Sequence, residues 1–276
     1  MTSSTLACGF FALASLCLLR AQTGEPDEAW KNLVMQALSA SSANDYQKSE
    51  QIFQKALHEA ERFGAGDPRV GATLNSLGLV YKAEKRHAEA EAAFRRALAV
   101  LEKAYGRESI DVANIDYNLA TVLADQGKLP SALPFLENSL IGYQSHLGPQ
   151  SLKAADVLCM IGDARRLTRD WARAEAPLKQ CAEIREASGG IYSTELSDAL
   201  FSLAIVYQNQ GKFALADPRF HLAEKIREKM QGIMSPGFAD VLEAHAAMLR
   251  SMGREADANK DASLATAIRR NERKER

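Results

Sequence analysis

The chain has 276 residues, 46% hydrophobic and 25% charged, with a formal net charge of −1. That is ordinary globular chemistry with ample material for a continuous core, and near-neutrality argues against nucleic acid, which needs a basic face. No Gly-rich phosphate loop, paired-cysteine zinc spacing or His-Glu-x-x-His string occurs, so neither a cofactor nor a metal ion is expected.

At the N-terminus, Leu6 to Leu19 is an uncharged, mostly apolar run followed by Arg20-Ala21-Gln22. The run is too short for a membrane span and suits the core of a signal peptide. The opening Met-Thr-Ser-Ser-Thr lacks Lys and Arg, but cleavage after Ala21 fits a small-residue site. We expect residues 1–21 to be a leader and the protein to be exported, periplasmic or secreted. The alternative is a retained or Cys17-lipidated N-terminal anchor, the one case in which a membrane is a partner.

Residues 22–268 read as helical repeats. Trp30, Leu33, Ala37 and Leu38 suggest a first helix. Tyr46, Ser49, Phe53, Ala56 and Leu57 match the second helix of the later units. From Asp67 onward the chain superimposes on itself when shifted by 42 residues. The columns read Leu77, Leu119, Ile161, Leu203, His245; Gly78, Ala120, Gly162, Ala204, Ala246; Ala90, Ala132, Ala174, Ala216, Ala258; and Phe94, Leu136, Leu178, Phe220, Ala262. Leu74, Leu77, Gly78 and Tyr81 form one helical stripe; Ala90, Phe94, Ala97, Leu98 and Leu101 form a second. Polar breaks such as Asp125-Gln126-Gly127-Lys128 separate the two, and Gly106, Gly148, Gly190 and Gly232 close the units. Each unit is therefore an antiparallel helical hairpin whose apolar face only a neighbour can bury. Pro134, Pro177 and Pro218 fall early in second helices, where they are tolerable. Arg269 to Arg276 is a charged tail without apolar periodicity.

Leu77-Gly78-x-x-Tyr81 followed by Ala90, Phe94 and Ala97 resembles the tetratricopeptide repeat. The 42-residue spacing, Asp111-Val112-Ala113, Leu74-Asn75-Ser76-Leu77 and Ala223-Glu224-Lys225-Ile226-Arg227-Glu228-Lys229 resemble its kinesin-light-chain type, over roughly residues 28–268. The resemblance implies an all-α, right-handed superhelical solenoid of about six hairpins, its helices about one turn (~5 Å) longer than in the common form. It also implies a non-catalytic scaffold that binds a partner peptide or helix in a concave groove lined by first helices. Export, and the lack of a preceding heptad coiled coil, argue against a kinesin light chain itself.

Carried onto this chain, the groove columns hold Asn75, Leu79 and Lys82; Asn114, Tyr117 and Thr121; Asp156, Cys159, Asp163 and Arg166; Asp198, Phe201, Ile205 and Gln208; Asp240, Glu243 and Arg250. Asn75, Lys82, Asn114, Tyr117, Asp163, Arg166, Phe201 and Gln208 are the candidate partner contacts, with the two aromatics as anchors. The polar ones are also what any solvated helix face carries, and the rings also suit packing against neighbouring helices. The family's recurrent asparagine is replaced along the column Asn75, Tyr117, Cys159, Phe201, Glu243, which points to a less polar ligand.

Three further expectations concern single residues. Arg165 stands in the column of Tyr81, Leu123, Tyr207 and Leu249, either snorkelling to water or paired with Asp163 or Asp170. Cys181 occupies a small-residue packing column and Cys159 the groove side, so their directions diverge and two unlinked thiols are expected. His58, His87, His146, His221 and His245 are scattered over the units with no spacing that builds a catalytic site. A rival to groove binding is self-assembly into a homo-oligomer through the end hairpins, using Leu249, Ala258 and Leu264.

Overall fold

A computed structural model describes residues 28–189 and 192–275; the expected leader lies outside them. Twelve α-helices and no strand occur among the described residues: α1 Glu28–Ser42, α2 Tyr46–Glu61, α3 Pro68–Ala83, α4 His87–Tyr105, α5 Ile110–Asp125, α6 Leu129–Leu147, α7 Leu152–Leu167, α8 Trp171–Gly189, α9 Thr194–Asn209, α10 Phe213–Gln231, α11 Pro236–Ser251 and α12 Glu255–Glu275. They pair as six antiparallel hairpins in two compact units, one ending at Gly148 and the other beginning at Pro149. In each unit the second helix of one hairpin packs on the first helix of the next.

The repeat is visible in the caps. Side-chain oxygens of Asp67, Ser109, Ser151, Ser193 and Ser235, all one period apart, accept a backbone N–H at the start of each first helix from α3 to α11. Such caps satisfy N–H groups that have no intrahelical partner. The inner turn of each hairpin is a tight reversal in which the residue at the second helix's start donates its N–H five residues back, as from Arg86 to Tyr81 and Lys212 to Tyr207. This places one residue per turn in the left-handed region. Gly127, Gly211 and Gly253 take it readily, whereas Lys85 and Arg169 hold φ of 60° and 61° despite their side chains.

The packing columns form the core. Ala90, Ala132, Ala174, Ala216 and Ala258 are all 0% exposed, and Phe94, Leu136, Leu178 and Phe220 are equally buried. A Cβ on Gly78 would lie 2.6 Å from the Phe94 ring, and one on Gly162 would overlap Leu178. Glycine is what lets these helix pairs approach closely. In the first hairpin Phe53 and Ala56 are fully buried, and Trp30 reaches the second hairpin by donating Nε1–H to Thr73 Oγ1 (3.0 Å). Pro134, Pro177 and Pro218 lie inside α6, α8 and α10 without ending them. The last helix runs through Arg269 to Glu275.

Two charged patterns recur. A cation at the start of a second helix clamps an acid on the preceding hairpin: Arg86–Glu50 (2.7 Å), Lys128–Glu91 (3.2 Å), Lys212–Glu175 (2.7 Å) and Arg254–Asp217 (3.2 Å). The remaining members of these columns are Leu133 and Asp170. Within the hairpins of the second unit, an arginine late in each second helix binds an aspartate of its own first helix: Arg185–Asp156 (2.6 Å), Arg227–Asp198 and Arg269–Asp240 (2.5 Å).

The two cysteines correct the sequence reading. Cys159 of α7 and Cys181 of α8 form a disulfide, with Cα atoms 5.5 Å apart. The groove and packing directions meet because both positions border the shared seam of one hairpin. Arg165 is half-buried and donates from its guanidinium to the Arg173 carbonyl (3.1 Å) across the hairpin turn.

Candidate partner-binding face

In the first unit, α3 and α5 bring Asn75 and Lys82 together through residues of the next hairpin. Asn118 donates Nδ2–H to Asn75 Oδ1 (2.9 Å), and Thr121 Oγ1 bonds the Asn118 carbonyl (2.7 Å). Lys82 Nζ donates to Thr121 Oγ1 (2.6 Å) and lies 3.9 Å from Asp125. Burial lowers the Lys82 ammonium below its usual range, with Asp125 opposing. Asn114 accepts from the Tyr143 hydroxyl (2.8 Å), and the half-buried Tyr117 ring sits tilted 6.3 Å from that of Tyr143. Asn75 and Asn114 are only 1% and 4% exposed, so their amides are committed to the hairpin stack.

In the second unit the same columns carry charge. Asp163 accepts from Arg166 Nε (2.9 Å) and from Ser202 Oγ of the next hairpin (2.7 Å). Phe201 is half-buried, edge-on to Phe220 at 6.2 Å, with the Arg227 guanidinium 5.8 Å above its ring. Gln208 is half-buried and its Oε1 is shielded from solvent without a hydrogen-bond partner among the described residues. Asp156, Asp198 and Asp240 face the arginines of their own hairpins. Burial raises the carboxyls of Asp156 and Asp198 above the usual range, only partly opposed by Arg185 and Arg227.

The cross-hairpin links Lys82–Thr121 and Ser202–Asp163 each span 39 residues and share one column, which supplies Thr121 to the first and Asp163 to the second. Motif transfer missed Asn118 and Ser202. Their column, Ser76, Asn118, Met160, Ser202, Ala244, holds short polar residues at three of five copies, which was the available signal. A second omission is larger. His245 is not isolated from carboxylates: Asp217 and Glu224 of α10 and Asp261 of α12 all reach its ring. Sequence spacing hid them because they lie on two helices other than that of His245. The self-assembly surface is also revised. Leu249 and Ala258 are buried within their own hairpin at 1% and 0%, and of the three only Leu264 is exposed.

Stacked helical hairpins of this length, capped and closed at a fixed period, define a repeat-protein binding scaffold. The tetratricopeptide repeat profile matches residues 31–103 and 111–187, more than half of the chain, and the protein belongs to that family. No curated protein sequence matches the chain. Among solved structures it is similar to BtubC (BKLC) from P. vanneervenii, at 21% identity and a TM-score of 0.67 over 83% of this chain and 92% of that one. It is also similar to a kinesin-light-chain-type TPR-like repeat protein from Podosopora anserina (17%, TM-score 0.60, 71% and 93% of the two chains). YrrB, a TPR protein with an unusual peptide-binding site, matches at 17% and 0.54 over 72% and 87%. At these identities the likeness establishes the fold, including its kinesin-light-chain-like repeat type.

Proposed function

We propose that the protein is an exported, non-catalytic adaptor that binds a peptide or helix of a partner protein along its first-helix face. Tetratricopeptide repeats are a scaffold for protein and peptide partners, generally without catalysis. The observation that carries the reading is the cross-linking of polar groups on that face. Lys82 with Thr121, and Arg166 with Asp163 and Ser202, are held part-buried before any ligand arrives. A pre-ordered donor loses little entropy on binding, so a few contacts suffice. Tyr117 and Phe201 are half-buried, each braced by a second ring, and suit the role of apolar anchors. The Cys159–Cys181 disulfide supports export, since such bonds persist in oxidising compartments.

The test is a cross-linked pull-down from the native host, comparing the wild type with a Tyr117→Ala/Phe201→Ala variant of matched helicity. Loss of a captured partner in the variant is expected. Retention would move the interface off this face, and recovery of the protein alone would favour self-assembly. Mass analysis of the same material should give a mature chain starting at Gln22; an intact or lipidated N-terminus would overturn cleavage.

A further inference from the structure

One group of side chains in the second unit converges on a position that the repeat elsewhere fills with leucine or isoleucine. α10 carries Asp217, His221 and Glu224 on one face at i, i+4 and i+7, α11 supplies His245 and α12 supplies Asp261. His245 is fully buried where hairpins two to five place Leu77, Leu119, Ile161 and Leu203.

The geometry of the group is directional. The Glu224 carboxylate bridges both imidazoles through their Nδ1 atoms, at 2.7 Å from His245 and 3.3 Å from His221. Asp261 adds a second oxygen 3.2 Å from His245 Nδ1. With each Nδ1 engaged, both Nε2 atoms turn towards Asp217, at 3.1 Å for His245 and 4.0 Å for His221. An imidazole held by a carboxylate at one nitrogen and presented at the other is the usual posture of a metal-ligating histidine.

We propose that Asp217, His221 and His245 form a binding site for a divalent transition-metal ion of the zinc class, with Glu224 as the outer carboxylate that orients both imidazoles. The three ligand atoms already lie within 4.8 Å of one another. Bonds of about 2.0–2.1 Å in a tetrahedral site need ligand atoms roughly 3.3 Å apart, so a small rotation of His221, whose side chain is 57% exposed, completes the set. Charge fits as well: three carboxylates converge and Arg254 (3.2 Å from Asp217) offsets one, leaving a surplus that a divalent ion balances. Two imidazoles favour zinc over magnesium. Three protein ligands leave a fourth position, at the exposed His221 edge, for water or a partner's side chain. The ion would tie the fifth hairpin to the sixth. Motif reading expected no metal because the ligands are shared between helices of different hairpins.

The experiment uses the full chain without a polyhistidine tag, oxidised and stripped with a chelator, titrated calorimetrically with zinc chloride and, as a control, magnesium chloride. One zinc per chain at micromolar affinity or tighter, with a raised Tm and no magnesium response, is the expected result. His221→Ala and Asp217→Asn should each weaken zinc by at least about tenfold, and Glu224→Gln by about ten- to a hundredfold. The metal-free Tm of His221→Ala should stay near that of the wild type, which separates ligand loss from unfolding. His146→Ala, in the first unit, should change nothing. No stoichiometric zinc binding tighter than about 100 µM would overturn the proposal and leave the group as an ion-paired clamp. Zinc binding that survives both His221→Ala and Asp217→Asn would overturn it too.

Discussion

Each unit breaks one columnar leucine with an ionisable side chain, and the two breaks are handled in opposite ways. In the first unit Asp116 stands where the other copies hold Leu74, Leu158, Leu200 and Leu242, and it is 2% exposed. Burial pushes its carboxyl up to about 7; the Arg107 charge pulls it down, and the Glu102 carboxylate adds to the rise. In the second unit His245 replaces the columnar leucine at 0% exposure, but three carboxylates surround its ring. A buried ionisable group is accommodated either by shedding its charge or by recruiting partners. The repeat frame tolerates both because each substitution disturbs a single position of one column. The same division extends to the hairpin seams, where Tyr143 and Asn114 in the first unit become Arg–Asp pairs in the second.

The largest effect that would break this comparison is the pH response of Asp116. Its folded pKa lies above the unfolded value, so the folded state binds more protons between about pH 4 and 7. The stability it contributes is complete below pH 4 and lost as pH rises through 7. Asp116→Asn should therefore stabilise at pH 8, by up to about 4 kcal/mol, and do little at pH 4; urea unfolding at both values reads this. The mirror change, His245→Leu, restores a columnar leucine yet should destabilise by roughly 3 kcal/mol, because Asp217, Glu224 and Asp261 lose their shared partner. Equal signs for the two leucine-column variants would refute the contrast.

Reduction should next divide the units. The Cys159–Cys181 bond closes a 22-residue separation, and its loss should cost about 3 kcal/mol on a chain-entropy view. A Cys159→Ser/Cys181→Ala variant should reproduce the effect, since alanine already fills that column at Ala97 and Ala223. Hydrogen exchange should quicken in α7 and α8 and stay unchanged in α3 to α6.

The seams give a smaller difference. Arg185→Ala strands an aspartate whose side chain is 31% exposed, and should cost about 2 kcal/mol after allowance for that water contact. Tyr143→Phe removes one neutral hydrogen bond and should cost about 1 kcal/mol. High salt should shrink the first penalty and leave the second, as denaturation with and without added sodium chloride would show.

Where the sequence reading failed, it failed for one reason. Asn75, Asn114, Asp156, Asp198 and Asp240 look solvated because each lies off the apolar stripe of its own helix. Their partners, Asn118, Tyr143, Arg185, Arg227 and Arg269, come from other helices at separations of 29 to 43 residues. Single-helix periodicity carries no information on such pairs. The disulfide was misjudged in the same way: a helical wheel assigns a direction to each cysteine but does not show how the two helices of a hairpin face each other.

Hairpin number, turn chemistry and the alanine and glycine packing columns were all determined by the sequence alone, because a fixed period repeats the same local physics at every copy. The bond between Cys159 and Cys181, the commitment of the groove asparagines to the stack and the gathering of Asp217, His221, Glu224, His245 and Asp261 were decided only by tertiary structure. Each depends on the facing of two or more helices, and the periodicity of one helix is blind to the rotation of its neighbour.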